Sequence, residues 1–296
     1  MRAMLTALSP TSRGILLMLL TVLLFTVLDA MAKFLLQRYG VVQVVWARYT
    51  SQTVMVALFL APQFPGILRT SNPGTHAIRS LFQFGATTMF FSSLMVIGLA
   101  EATAIMDVNP VLVTLGAALF LGEKLGPRRL FGVMAALVGA LIVIRPGSGV
   151  FSPAALLPLA AAVCYSAYAL ITRKLGRDEN MWTSLLYTAL LGTVVSSVAV
   201  VFYWEPIAWV HMPVFVLLGG IGAIAQLCMI RAFTLAEAGV IAPFSYVGLL
   251  FATLWGWLFF DELPDIWTGV GALVIVAAGL YVWHRETRAA RRDRME

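Results

Sequence analysis

Leu99-Ala-Glu-Ala102 recurs as Leu235-Ala-Glu-Ala238, an offset of 136 residues. Each copy opens an apolar stretch, then a short acidic turn (Gly122-Glu123-Lys124 and Asp261-Glu262-Leu263), then a second Gly/Ala-rich apolar stretch. The turn glutamates, Glu123 and Glu262, lie 139 residues apart, so the second copy carries a small insertion. The chain therefore contains one pattern twice, and each half holds five apolar stretches. An odd number predicts that the second half enters a bilayer from the opposite side. Inverted halves that rock about a shared central site are a transporter architecture.

Composition agrees with a membrane protein. The 296 residues are 60% hydrophobic and only 11% charged, with a mean hydropathy of +0.90, whereas a soluble chain carries about 25% charged residues. The net charge of +6 sits in short loops and a tail, which does not indicate a nucleic-acid partner. Cys164 and Cys228 fall inside apolar stretches, and no disulfide framework or Cys/His metal spacing exists. Neither metal nor cofactor is expected. The first apolar run, after Arg13, is too long for a cleavable signal and reads as a retained span.

A membrane-crossing helix needs about 20 mostly apolar residues. Spans are predicted at 14–37, 41–61, 77–98, 102–122 and 127–145, then at 153–173, 182–203, 212–232, 238–260 and 265–284. The expected fold is an all-α integral membrane protein of ten transmembrane helices. It divides into repeats at 1–146 and 147–284, with a basic tail at 285–296. With both termini cytoplasmic, fifteen of the twenty Lys and Arg residues fall on the inner side and two, Arg38 and Arg145, on the outer. That bias is the positive-inside pattern. The tail arginines read as an orientation determinant that touches lipid headgroups.

Ionisable groups inside a span cost about 2.5–3.5 kcal/mol each and seldom face lipid. Asp29 and Lys33 are spaced i, i+4 on the first span, where they can pair. Arg48 lies in the second beside Trp46 and Tyr49; Asp107 and Asn109 precede Pro110 in the fourth. Either Asp29, Lys33 and Arg48 hold a polar or zwitterionic substrate in a hydrated cavity, or they form an ion-pair network locking two spans. Snorkelling to the headgroups is a further option for Lys33 and the expected state of Arg79. Pro110 and Pro243 interrupt the fourth and ninth spans, which correspond in the two halves although the prolines are not strictly equivalent, and each is either a candidate hinge or an ordinary tolerated kink. Tyr165, Tyr168 and Tyr246 lie mid-span, where a hydroxyl needs a partner. Phe90 and Phe91 read as packing, Trp255 and Trp257 as lipid or interface residues. Gly132, Ala136 and Ala140, with Gly269 and Gly271, form small-residue stripes that either pack the halves together or build a homodimer. Glu123 and Glu262 read as structural residues of their turns.

No Gly-rich phosphate loop is present, and no intramembrane Ser/His pair is evident, so ATP-driven transport and intramembrane catalysis are disfavoured. A channel would show a polar ring or carbonyl filter. Two five-span halves, Gly122-Glu123 and Asp261-Glu262 at the ends of spans four and nine, and the stretch Ala242-Pro-Phe-Ser-Tyr-Val-Gly-Leu-Leu-Phe-Ala252 resemble the drug/metabolite transporter superfamily, EamA type. Within it, the chain most resembles bacterial inner-membrane exporters of amino acids and related metabolites, including the aromatic amino acid and paraquat exporters. The resemblance implies a small-molecule substrate, a monomer or homodimer in the lipid bilayer, and a central cavity between the halves. On this chain it favours Gln83, Asp107, Asn109, Gln226 and Tyr246, with Tyr165 and Tyr168 as an aromatic wall. Asp29-x-x-x-Lys33 and Trp46-x-Arg48 are similar to members that carry S-adenosylmethionine, which adds uptake of such a compound as the alternative to export.

Overall fold

The structure is a computed structural model and describes residues 10–59, 64–121, 127–145, 153–175, 179–235 and 242–292. Its main helices are α1 (Pro10–Leu36), α2 (Val41–Phe59), α3 (Pro73–Leu94), α4 (Leu99–Met106), α5 (Asn109–Leu121) and α6 (Pro127–Ile144). The second half supplies α7 (Leu156–Leu175), α8 (Met181–Val200), α9 (Met212–Leu235), α10 (Val247–Phe260) and α11 (Ile266–Arg292). Pro10, Pro73, Pro110, Pro127 and Pro213 fall in the first turn of a helix, where a missing N–H removes no intrahelical bond. Asn180 caps α8 by accepting the Trp182 N–H at 2.9 Å, and Asp265 caps α11 by accepting the Thr268 N–H at 2.8 Å. Asp261 ends α10 in the left-handed region, at φ 54°.

The fourth predicted span is not one helix. It starts earlier than expected, at Leu99, and breaks at Asp107-Val108, so Pro110 opens α5 rather than kinking a continuous helix. The ninth is also interrupted: Ala242–Tyr246, which includes Pro243, is a 3-10 segment, and α10 begins only at Val247. The turn Gly122-Glu123-Lys124 and residues 236–238 of the second Leu-Ala-Glu-Ala copy lie outside the described residues.

The most extensive packing joins one half to the other. α1 packs on α9 and α10, α2 on α8 and α9, α3 on α7 and α8, α4 on α10, α5 on α7, and α6 on α11. Exchanging the first five spans for the second five maps this set onto itself. The α6–α11 contact uses the predicted small residues: Ala136 and Ala140 are buried, and a Cβ on Gly271 would press on the Gly139 carbonyl at 2.6 Å. Gly139 and Gly271 make that approach; Gly269 has open space around it. The stripes thus pack the halves of one chain together.

Polarity is arranged inside out. Phe59, Phe120 and Phe202 are each 80% exposed, whereas Arg79, Arg48 and Lys33 are 0%, 3% and 4% exposed. Four segments, Pro10–Leu36, Pro153–Leu175, Met181–Val200 and Trp209–Ala232, are long and apolar enough to cross a membrane. The expected snorkelling of Arg79 does not occur. Its guanidinium donates to the Ser184 carbonyl, to Thr188 Oγ1 at 2.7 Å and to Thr172 Oγ1 at 3.3 Å, over the Tyr168 ring. Three hydroxyl and carbonyl acceptors hold it inside more favourably than a stretched path to the surface.

Candidate functional site

A cavity of about 160 Å³ opens between the halves. α1 supplies one helical face to it, Met18, Thr21, Val22, Phe25, Thr26 and Asp29, at the i, i+3, i+4, i+7 spacing of a single stripe. α3 does the same with Gln83, Ala86, Thr87, Phe90 and Phe91. Arg48 of α2 enters from one side. The break between α4 and α5 contributes Met106, Asp107 and Asn109, with Thr103 one turn earlier; Tyr165 of α7, Ser245 and Gly248 complete the wall. At the 10–15 Å³ that a single water occupies on this measure, the space holds on the order of ten waters. A small metabolite fits such a volume.

Six of the predicted residues therefore meet in one place: Asp29, Arg48, Gln83, Asp107, Asn109 and Tyr165. Arg48 is fixed from behind. It donates to Thr87 Oγ1 and, at 3.4 Å, to Tyr49 Oη, and its guanidinium lies over the Tyr49 and Phe91 rings. Two glycine contacts make room for this cluster. A Cβ on Gly192 would fall on the Tyr49 ring, and one on Gly219 would meet Ser51 and the Arg48 carbonyl oxygen. The α9 backbone thus approaches that of α2, while α8 lies against the Tyr49 ring. Asp107 is 7% exposed, and its Oδ2 has no hydrogen-bond partner among the described residues.

Five predicted residues lie elsewhere. Lys33 does not pair with Asp29: its ammonium reaches Glu262 Oε2 at 2.6 Å and the Ile97 carbonyl at 3.1 Å. The same Glu262 oxygen accepts the Leu99 N–H at 3.2 Å. Glu262 ties α1, the start of α4 and the end of α10 together, a role the sequence assigned only to its own turn. Trp46 donates to Ser197 Oγ at 3.0 Å and sits edge-on to Trp204. Tyr168 is buried against Arg79. Gln226 accepts from Gln52 Nε2 at 2.7 Å, outside the cavity. Tyr246 is buried with its hydroxyl against Gly279 of α11 and no hydrogen-bond partner among the described residues. Each turns away because a neighbour on another helix satisfies or covers it. Trp255 also differs from expectation, since its indole points inward and donates to Thr26 Oγ1 at 3.2 Å. The sequence reading missed the lining hydroxyls Thr21, Thr26, Thr87, Thr103 and Ser245. Counting three, four, seven and eight residues back from Asp29, and four forward from Gln83, marks the first three.

The EamA-like transporter family matches this chain twice, over residues 12–145 and 152–283. The chain belongs to that family. It is 28% identical to an S-adenosylmethionine uptake transporter of Rickettsia bellii, over 96% of this chain and 97% of the relative. It is also 28% identical to a riboflavin transporter of Vibrio cholerae, over 95% and 96%. A pseudopaline exporter of Pseudomonas aeruginosa is 27% identical over 90% and 94%. A solved crystal structure, 23% identical and covering 95% of this chain and 98% of its own, shares the fold with a TM-score of 0.67. The three named relatives are transporters, and their named substrates differ widely.

Proposed function

We propose that this chain is a secondary carrier of the bacterial inner membrane that moves amino acids and similar amphipathic metabolites outward by alternating access. In this reading ten spans form two inverted five-helix repeats with both termini cytoplasmic. The apolar outer surface and the buried Arg48, Arg79 and Lys33 support that placement, because ionisable side chains in spans turn inward. Arg48 binds a carboxylate, Asp29 or Asp107 an ammonium, and Phe25, Phe90 and Tyr165 the side chain. The carrying observation is the cavity that gathers Asp29, Asp107 and Arg48 beside aromatic rings.

The positive-inside pattern puts the Lys33–Glu262 tie and the Arg145–Asp265 pair, at 2.7 Å, on the outer side. In this reading the two ion pairs hold the carrier closed outside. Uptake of an S-adenosylmethionine-like compound is the second reading, favoured by the names of relatives such as that of Rickettsia bellii. Counterflow in proteoliposomes tests both. Vesicles loaded with unlabelled phenylalanine, threonine, methionine or S-adenosylmethionine are diluted into the labelled compound. Transient accumulation of an amino acid supports the first reading, accumulation of S-adenosylmethionine alone supports the second, and saturation-free equilibration defeats alternating access.

A further inference from the structure

Gln83, Asn109 and Thr87 bring donors to the cavity wall, but its other hydroxyls and its carboxylic side chains offer acceptors. Thr21, Thr26 and Thr103 all line it, and each hydroxyl gives its proton to a carbonyl of its own helix: Leu17 at 2.8 Å, Leu23 at 2.9 Å and Leu99 at 2.8 Å. A hydroxyl engaged in this way presents only lone pairs to a ligand. Tyr165 likewise gives its proton away, to Met229 Sδ at 2.9 Å. Two carboxylic side chains, Asp29 and Asp107, face one basic side chain, Arg48. Lys33 adds nothing to that balance, since Glu262 and the Ile97 carbonyl hold its ammonium outside the cavity. Asp107 Oδ2 is buried and without a donor among the described residues, and a charged donor brought to such an acceptor in a low-dielectric site makes a strong hydrogen bond.

We infer that the cavity selects amino acids bearing a second cationic, hydrogen-donating group, with Asp107 as the residue that sets this preference. Resting on the proposed carrier function, this narrows its substrate class. Arg48 takes the α-carboxylate. One aspartate takes the α-ammonium, and Asp107 takes the additional cation together with the lone pairs around it. A neutral amino acid leaves the Asp107 acceptor unmatched, and such an unpaired buried group lowers affinity by a factor of ten or more.

Arginine and citrulline test this, because they match in size and differ in charge. Proteoliposomes carrying the full chain are loaded with each in turn, and counterflow of the labelled compound is measured across a concentration series. The inference expects arginine to be preferred at least tenfold at subsaturating concentration, and the ratio to fall towards one in Asp107→Asn. Tryptophan-fluorescence titration of purified wild-type protein with the same pair gives an independent ratio should the variant not fold. A ratio near one in the wild type, or a preference that survives in folded Asp107→Asn, overturns the charge selection while leaving the carrier function standing. Failure of every amino acid to show counterflow removes the carrier reading, and the inference with it.

Discussion

On the proposed orientation, replacing Glu262 by Gln should loosen the end of the bundle that faces outward. The Glu262 carboxylate accepts the Lys33 ammonium at 2.6 Å and the Leu99 N–H at 3.2 Å. The two side chains are 36% and 5% exposed, respectively. Removing one partner of a fully buried pair costs about 3–5 kcal/mol, and of an exposed pair about 0–1 kcal/mol. The half-open glutamate lies between, and a Gln oxygen still accepts one hydrogen bond while Lys33 keeps the Ile97 carbonyl. The net effect should be about 1.5 kcal/mol against the closed state, close to tenfold in the ratio of closed to open. Thr103, one turn inside Leu99 on the cavity wall, reports it. With Cys164 and Cys228 replaced by Ser, a Thr103→Cys protein in cells is treated with a membrane-impermeant maleimide. Labelling should be about tenfold faster with Glu262→Gln. Lys33→Met should act alike, and the double variant should add little, because partners in one interaction are not additive. An unchanged rate in folded Glu262→Gln protein, or fully additive effects, would refute the strap.

Gly219→Ala should lower thermal stability in detergent by about 1–3 kcal/mol, the cost of overpacking, since its Cβ would meet the Arg48 carbonyl at 2.7 Å and Ser51 closer still; size-exclusion after heating measures this. Tyr246→Phe should leave both melting temperature and counterflow near wild type, because the hydroxyl has no hydrogen-bond partner among the described residues. Asp265→Ala should cost about 1 kcal/mol at pH 7 through the lost α11 cap. Hydrogen bonds from Thr268, aided by Arg145, hold the Asp265 carboxyl below the usual carboxylate range. Its stabilisation is therefore present above the unfolded pKa of about 3.9 and is lost as pH falls through the lower folded value. The melting-temperature gap between wild type and Asp265→Ala should narrow on that acid side, and a gap independent of pH would contradict the assignment.

Helix periodicity and polarity made the helix positions and much of the cavity lining legible. Asp29, Arg48, Gln83 and Asp107 stood out because a charge or amide within an apolar helix has few places to go, and the bundle interior is one of them. Partner choice was not legible. Asp29 and Lys33 satisfy an i, i+4 pairing rule, yet a glutamate 229 residues further along captures the lysine. Tyr168 and Tyr246 looked like cavity aromatics because sequence shows depth along a helix and not the direction of the face. That direction is set by contacts between halves, such as Arg79 against the Tyr168 ring and Gly279 against the Tyr246 hydroxyl. Tyr165, only three residues from Tyr168, does reach the cavity.

The two helix breaks link fold to function most directly. In a bilayer, backbone groups released by a break need protein partners or a water-filled space. The break before α5 borders the cavity through Asp107 and Asn109, and the carbonyls beside it keep protein partners: that of Val108 accepts the Leu112 N–H at 3.1 Å and that of Ile105 the Val108 N–H at 3.3 Å. The 3-10 segment before α10 lies on the cavity as well, through Ser245, with Gly248 just inside the helix. Breaks that served packing alone would have no reason to border the same space, and both border this cavity. Breaks placed at a shared cavity put polar groups where a polar ligand can meet them. In the proposed carrier α5 and α10 pivot about their own starts, which sets the residues proposed to contact substrate beside the proposed joints.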